Sequence, residues 1–233
     1  MSCWSTSGPQ TILLTNCRSY PNRANGSNEP GRPTDDRLAG HSIERPRLGV
    51  AGRVPSVPDR DPQVALVAVD DAVLEQLVEA SITDASADDV TPPLTADPAW
   101  TPTRTAWLRD FHRDRRDGLD GPARETTWAI TLDQQVVGSV RLQRTERAGL
   151  LETGVWLTRG IRGHGVGRAA MAAALREAAA LGFTSIRAET TASNAGALTL
   201  LERLGFDLIP ADDGRNVRAL LVFKPSSSRC QDR

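Results

Sequence analysis

Apolar residues recur along this chain in two periods, and the points where the period changes mark its elements. From Val64 to Val69 a short apolar run predicts a strand, and Asp70 or Asp71 follows as the cap of a helix carrying Val73, Leu74, Leu77 and Val78 on one side. Ser81 to Pro102, with several Pro, Asp and Thr, predicts loop with at most a short helix. Thr103 to Arg116 has helical spacing, with Ala106, Trp107, Leu108 and Phe111 expected to face inward and the charged run Arg113 to Asp117 expected as a solvated helix end. Thr126–Leu132 and Val136–Leu142 are two β-rich runs joined by Asp133-Gln134-Gln135, a hairpin. The run Leu150–Leu157 extends it into an antiparallel meander.

A helix is predicted from Gly165 to Leu181, with Val166, Ala170, Met171, Ala174, Leu175 and Ala178 on its buried side and Gly182 ending it. Thr184–Glu189 then reads as a strand that returns, by a right-handed crossover, parallel to the one before the helix. Ser193 or Asn194 caps a shorter helix bearing Ala197, Leu198, Leu201 and Leu204, closed by Gly205, and Asn216–Lys224 is the last strand. Residues 1–62 show neither period and are rich in Ser, Asn, Gly, Pro and Arg, so they are expected to be disordered, as is the tail 226–233. One domain, residues 63–225, is left. Its Trp100, Trp107 and Trp128 are expected to fill the core rather than line an acceptor pocket.

Composition narrows the partners. The 233 residues carry 28 basic and 29 acidic side chains, a net charge of −1, so bulk electrostatics favours neither nucleic acid nor an anionic membrane. No apolar run approaches the ~20 residues of a membrane span. Cys3, Cys17 and Cys230 lie near the ends, and His41, His112 and His164 are scattered, so no disulfide framework or metal site is expected and a cytoplasmic setting is the simpler one.

The candidate chemistry sits where strand gives way to helix. Gly160, Gly163, Gly165 and Gly167 leave main-chain N–H groups open to a ligand at a helix start, where the helix dipole suits an anion such as a pyrophosphate, and Arg162 and Arg168 flank the turn. A tight turn without ligand would use the same glycines. The dinucleotide fingerprint G-x-G-x-x-G does not fit, and no Gly-Lys-Ser/Thr follows to make a Walker A loop.

Two stretches at a fixed separation, Arg162-Gly-His-Gly-Val-Gly167 and Asn194-Ala-Gly-Ala-Leu-Thr-Leu-Leu-Glu-Arg-Leu-Gly-Phe206, together resemble the GNAT acetyltransferase superfamily. Its acetyl-CoA motif reads Q/R-x-x-G-x-G/A and its later helix N-x-x-A/S with a Gly-Phe ending. The resemblance spans roughly Val64 to Lys224. Thr153-Gly-Val-Trp-Leu157 is further similar to the ribosomal-protein N-terminal acetyltransferase type, a look shared with relatives that acetylate small amines.

The resemblance implies an α+β fold in α/β/α layers: a mixed, mostly antiparallel sheet of six to seven strands flanked by helices. It implies acetyl-CoA as cosubstrate and a primary amine as acceptor, on a protein N-terminus or a small molecule, with direct transfer in a ternary complex; a homodimer is compatible with it. Amides from Gly163, His164, Gly165, Val166 and Gly167 to Arg168, with Arg162 beside them, would hold the pyrophosphate. Main-chain groups of Trp156 and Leu157 would pair with the pantetheine arm, and Asn194 would touch it or serve only as a helix cap.

Acetyl transfer needs a proton acceptor. Glu152 shares a strand face with Gly154 and Trp156, and Gly154 leaves room for a substrate. The structural alternative for Glu152 is a solvent-facing strand carboxylate, and Glu189 and Glu125 are weaker candidates. Where relatives carry a Tyr or a Ser in the second helix, this chain has Leu201 and Ala197, so no general acid is evident. A thiol of pKa ~8.5 can leave without one. The same departure admits a different class of function, an acyl-CoA binding module that has lost catalysis.

Overall fold

A computed structural model describes residues 63–224, and the expectations for 1–62 and 226–233, with all three cysteines and His41, fall outside the described residues. Seven strands, β1 (Val64–Ala68), β2 (Glu125–Leu132), β3 (Gln135–Arg144), β4 (Leu150–Leu157), β5 (Ser185–Thr191), β6 (Asp207–Pro210) and β7 (Asn216–Val222), form one sheet in the order β1-β2-β3-β4-β5-β7-β6. Every neighbouring pair is antiparallel except β4 with β5. Among the described residues five α-helices accompany the sheet: α1 (Asp71–Asp84), α2 (Ala87–Val90), α3 (Pro102–Arg113), α4 (Val166–Ala180) and α5 (Ala195–Arg203). The layered α+β architecture expected from the sequence is the one observed.

Local chemistry accounts for the boundaries. Asp70 accepts from the Val73 amide at 2.8 Å and Thr101 from the Arg104 amide at 3.3 Å, so α1 and α3 begin on side-chain caps. In the β2–β3 hairpin Asp133 and Gln134 have φ of 49° and 70°, which matches the right-handed twist of the flanking strands. The short edge strand β6 is the one strand the periodicity does not mark: it has four residues, three of them exposed.

The sheet buries a different core on each face. On one, α4 contributes Ala170, Met171, Ala174 and Ala178 against Leu151, Val155 and Ile186, with Leu201 of α5 beside them. On the other, Leu74 and Leu77 of α1 and Leu108 of α3 pack on Ala129 and Trp156. Fully buried side chains of this size each contribute about 1.5–3 kcal/mol. Trp100 and Trp107 pack against the second core and Trp128 against the first, as expected.

The inward face of α3 departs from the expectation. Its buried residues are Arg104, Leu108, Phe111 and His112, whereas Ala106 is exposed. Arg104 is only 1 % exposed and is satisfied by Asp88 at 2.7 Å, Thr91 Oγ1 at 3.0 Å and the Asp97 carbonyl at 3.2 Å, so a charged side chain fixes the segment between α1 and α3. The charged run at the end of α3 is also not merely solvated. Arg115 lies 3.6 Å over the Phe111 ring and donates to Glu125 at 2.6 Å, and Arg116 donates to the Val69 carbonyl at 3.0 Å.

Candidate functional site

The parallel contact between β4 and β5 is short. Leu150, Leu151 and Glu152 pair with Ser185, Ile186 and Arg187, and there the pairing ends. Beyond it Val155, Trp156 and Leu157 wall a pocket of about 410 Å³, closed on the other side by the glycine turn and the start of α5. This is the size of a small-molecule or cofactor cleft.

Gly163, Gly165, Gly167, Arg162 and Arg168 line the pocket. Gly165 caps α4 with φ of 81°, a left-handed conformation that a Cβ disfavours, and Gly163 has φ of 85°. Whereas α1, α3 and α5 each start on a capping side chain, α4 has none. The first amides of α4 therefore face the pocket mouth with no partner inside the helix, at the positive end of its dipole. A Cβ on Gly167 would stand 3.3 Å from Leu157 and so crowd the floor.

Arg162 reaches back, with Nε donating to the Leu157 carbonyl at 3.0 Å and Nη2 to Asp89 at 3.1 Å. Burial raises the Asp89 carboxyl above the ordinary range, and the Arg162 guanidinium offsets part of that shift. Asp84 accepts from the Gly160 amide at 2.8 Å, so the α1–α2 region holds the glycine turn at two points. Arg162 is thus a brace of the turn as well as a pocket wall.

Three other expected residues, Val166, His164 and Asn194, are not among those lining the pocket. Val166 is buried in the core, and His164 is exposed with Nδ1 3.4 Å from the Ile161 carbonyl. Asn194, fully buried, caps α5 by accepting from the Ala197 amide at 3.1 Å, the bland role weighed for it. Trp156 and Leu157 line the pocket, and the Leu157 carbonyl accepts from Arg162. The α5 wall, Ala195, Gly196, Thr199, Leu200 and Arg203, is not evident from the sequence because its small residues look like ordinary helix surface.

Glu152 is not the solvent-facing carboxylate of the simpler reading. It is 3 % exposed, with Arg141 donating to Oε1 at 2.8 Å and Arg187 to Oε2 at 3.1 Å and 2.8 Å. It belongs to a row of alternating charge across four strands, Arg115, Glu125, Arg141, Glu152 and Arg187. The second candidate, Glu125, is consumed in the same row, between Arg115 and Arg141. A carboxylate offers about four lone-pair directions, so these three donors leave Glu152 one more hydrogen bond to accept.

Gly165→Val should weaken coenzyme A binding by about five- to thirtyfold, since about 1–2 kcal/mol of left-handed strain falls on the residue that opens α4. Isothermal titration would read this, and an unchanged affinity would exclude the turn as the anion site. Among the described residues no cluster of His, Cys, Asp and Glu could hold a metal, and no helix is long and apolar enough to cross a membrane.

Residues 94–206 match the acetyltransferase (GNAT) family. No curated protein sequence matches the chain. Among solved structures, the GNAT domain of S. lividans PAT is similar at 18 % identity, covering 70 % of this chain and 90 % of that one, with a TM-score of 0.54. The RimL ribosomal L7/L12 alpha-N-protein acetyltransferase in complex with coenzyme A is similar at 15 % identity, with 69 % and 94 % covered and a TM-score of 0.54. The microcin C7 self-immunity acetyltransferase MccE, in complex with acetyl-CoA and AMP, gives 15 %, 69 %, 92 % and 0.52 on the same measures. At such identities these likenesses speak for the fold, and the family match takes in the glycine turn and α5: over residues 94–206 this domain matches the GNAT acetyltransferase family.

Proposed function

We propose that the protein transfers an acetyl group from acetyl-CoA to a primary amine, on a protein N-terminus or a small molecule, by direct attack in a ternary complex. The observation that carries this reading is the pocket between the parted strands, with the uncapped start of α4 at its mouth and the β4 strand as its wall. The α4 amides would hold the diphosphate, and β4 would align the pantetheine arm so that the thioester reaches the parting. The complexes of RimL with coenzyme A and of MccE with acetyl-CoA and AMP support the choice of cosubstrate.

Holding amine and thioester together supplies much of the rate, because the reaction becomes effectively unimolecular. Glu152, held in one orientation by its two arginines, accepts a hydrogen bond from the ammonium or from a water through which the proton leaves. The neutral amine nitrogen then attacks the carbonyl carbon, the C–S bond breaks to give the coenzyme thiolate, and the second proton shed by the nitrogen passes to water or to that thiolate. Leu201 is fully buried and brings no acid to that thiolate, which leaves at neutral pH without one.

Two observations favour a second reading, an acyl-CoA binding module without catalysis: the buried Leu201 and the clamped Glu152. Thermal shift with coenzyme A, followed by turnover on a panel of amines, separates the readings. A ligand at 100 times its Kd stabilises by about 2.7 kcal/mol. Stabilisation by coenzyme A with turnover of at least one amine is the expected result. Stabilisation with no turnover supports the second reading, and a larger shift with ATP or NAD removes both.

A further inference from the structure

Beneath α3 lies a second, much smaller cavity, of about 10 Å³. Leu108, Phe111 and His112 of α3 roof it, Arg141 of β3 forms one side, and Gly154–Trp156 of β4 form another. It therefore shares Val155 and Trp156 with the large pocket.

Two polar atoms on residues that line this cavity stand out among the described residues. His112 Nε2 and Arg141 Nε are buried and have no hydrogen-bond partner, although the side chains are only 1 % and 4 % exposed. Their other atoms are engaged. His112 Nδ1 is 2.9 Å from Thr127 Oγ1, and Arg141 donates through Nη1 to Glu125 and Gln143 and through Nη2 to Glu152. Buried polar groups are nearly always satisfied, so two orphans bordering one cavity point to a shared partner.

The chemistry of that partner is restricted. Burial, with the charges of Arg115 and Arg116 added, lowers His112 to about 3, so its ring is neutral at physiological pH. Arg141 Nε can only donate, while a neutral imidazole offers at Nε2 either a lone pair or an N–H. A water oxygen accepts from Arg141 and answers either tautomer of His112. The volume is about that of one water-sized sphere.

We propose that this cavity is a one-water site, and that His112 acts through the water as a positioning residue for Arg141 and so for Glu152. The water and the ring fix the edge of the guanidinium that carries Nε, and this sets the direction of the Nη2 bond to Glu152. The positioning role rests on the reading of Glu152 given above; the water site does not.

A high-resolution crystal structure of the full chain should show an ordered water within hydrogen-bond distance of His112 Nε2 and Arg141 Nε. His112→Phe, which keeps the ring shape and loses both nitrogens, should lower kcat by up to about a hundredfold and leave KM for acetyl-CoA unchanged. His112→Gln, which restores a polar end, should recover most of the loss. A dry cavity overturns the site, whatever Glu152 does. Wild-type kcat in a folded His112→Phe, or a loss that His112→Gln does not relieve, overturns the positioning role. Should His112→Phe fail to fold, the water and the kcat of His112→Gln still decide. An ordered water together with an unimpaired Glu152→Gln upholds the site and removes the proton-acceptor role of Glu152 instead.

Discussion

Arg141→Met is expected to destabilise the domain by about 3 kcal/mol, the lower end of the cost of breaking a buried ion pair from one side. The substitution takes the central cation from the row and leaves Glu125 and Glu152, 2 % and 3 % exposed, each with a single arginine. Arg115 and Arg187 moderate the loss because they remain, and the apolar Met fills the space. Arg187→Met removes a cation whose side chain is 40 % exposed, where solvent screens the pair, and should cost less than about 1 kcal/mol. For a domain of this size each kcal/mol moves Tm by about 2–4 °C, so thermal unfolding of the two variants distinguishes them readily. Equal shifts for both would mean that burial of the row is not what gives Arg141 its weight.

Glu152→Gln tests the chemistry as Arg141→Met tests the scaffold. Gln keeps the shape and one carbonyl acceptor for the arginines but cannot take a proton, so kcat on the best amine should fall by about 10²–10⁴-fold. KM for acetyl-CoA should hold, because Glu152 does not line the large pocket proposed to take it. Steady-state kinetics checked against Tm decides the matter. A kcat within threefold of wild type, with a lowered Tm, would make Glu152 a structural member of the row and favour the binding-module reading.

The sequence announces the parts of this protein that depend on neighbours in the chain. Alternation marks β2, β3 and β4, helical spacing marks the buried stripe of α4 from Val166 to Ala178, and the glycines at 163, 165 and 167 mark the turn where left-handed backbone and close approach are needed. What it hides depends on distant partners. Arg104 and His112 look like solvent-facing positions of an amphipathic helix until Asp88, Thr91 and Thr127 are brought against them. Glu152 is recognisable as a strand carboxylate on the right face, but its arginines lie on β3 and β5, and Glu125's lie in the turn after α3 and on β3. No periodicity reports that these five charges share a row. The end of α3 illustrates the same limit, since a charged run reads as solvated unless the anion opposite Arg115 is known.

The junction of β4 with β5 has a kinetic corollary. Three residue pairs, Leu150–Glu152 with Ser185–Arg187, are the whole seam between the two halves of the sheet, and Glu152 and Arg187 form its last rung. A thioester arm wedged into the gap would set the angle at which the halves diverge, and with it the width of the groove offered to the incoming amine. Substrates would then add in a compulsory sequence, donor before acceptor, because the second berth takes its shape from the first.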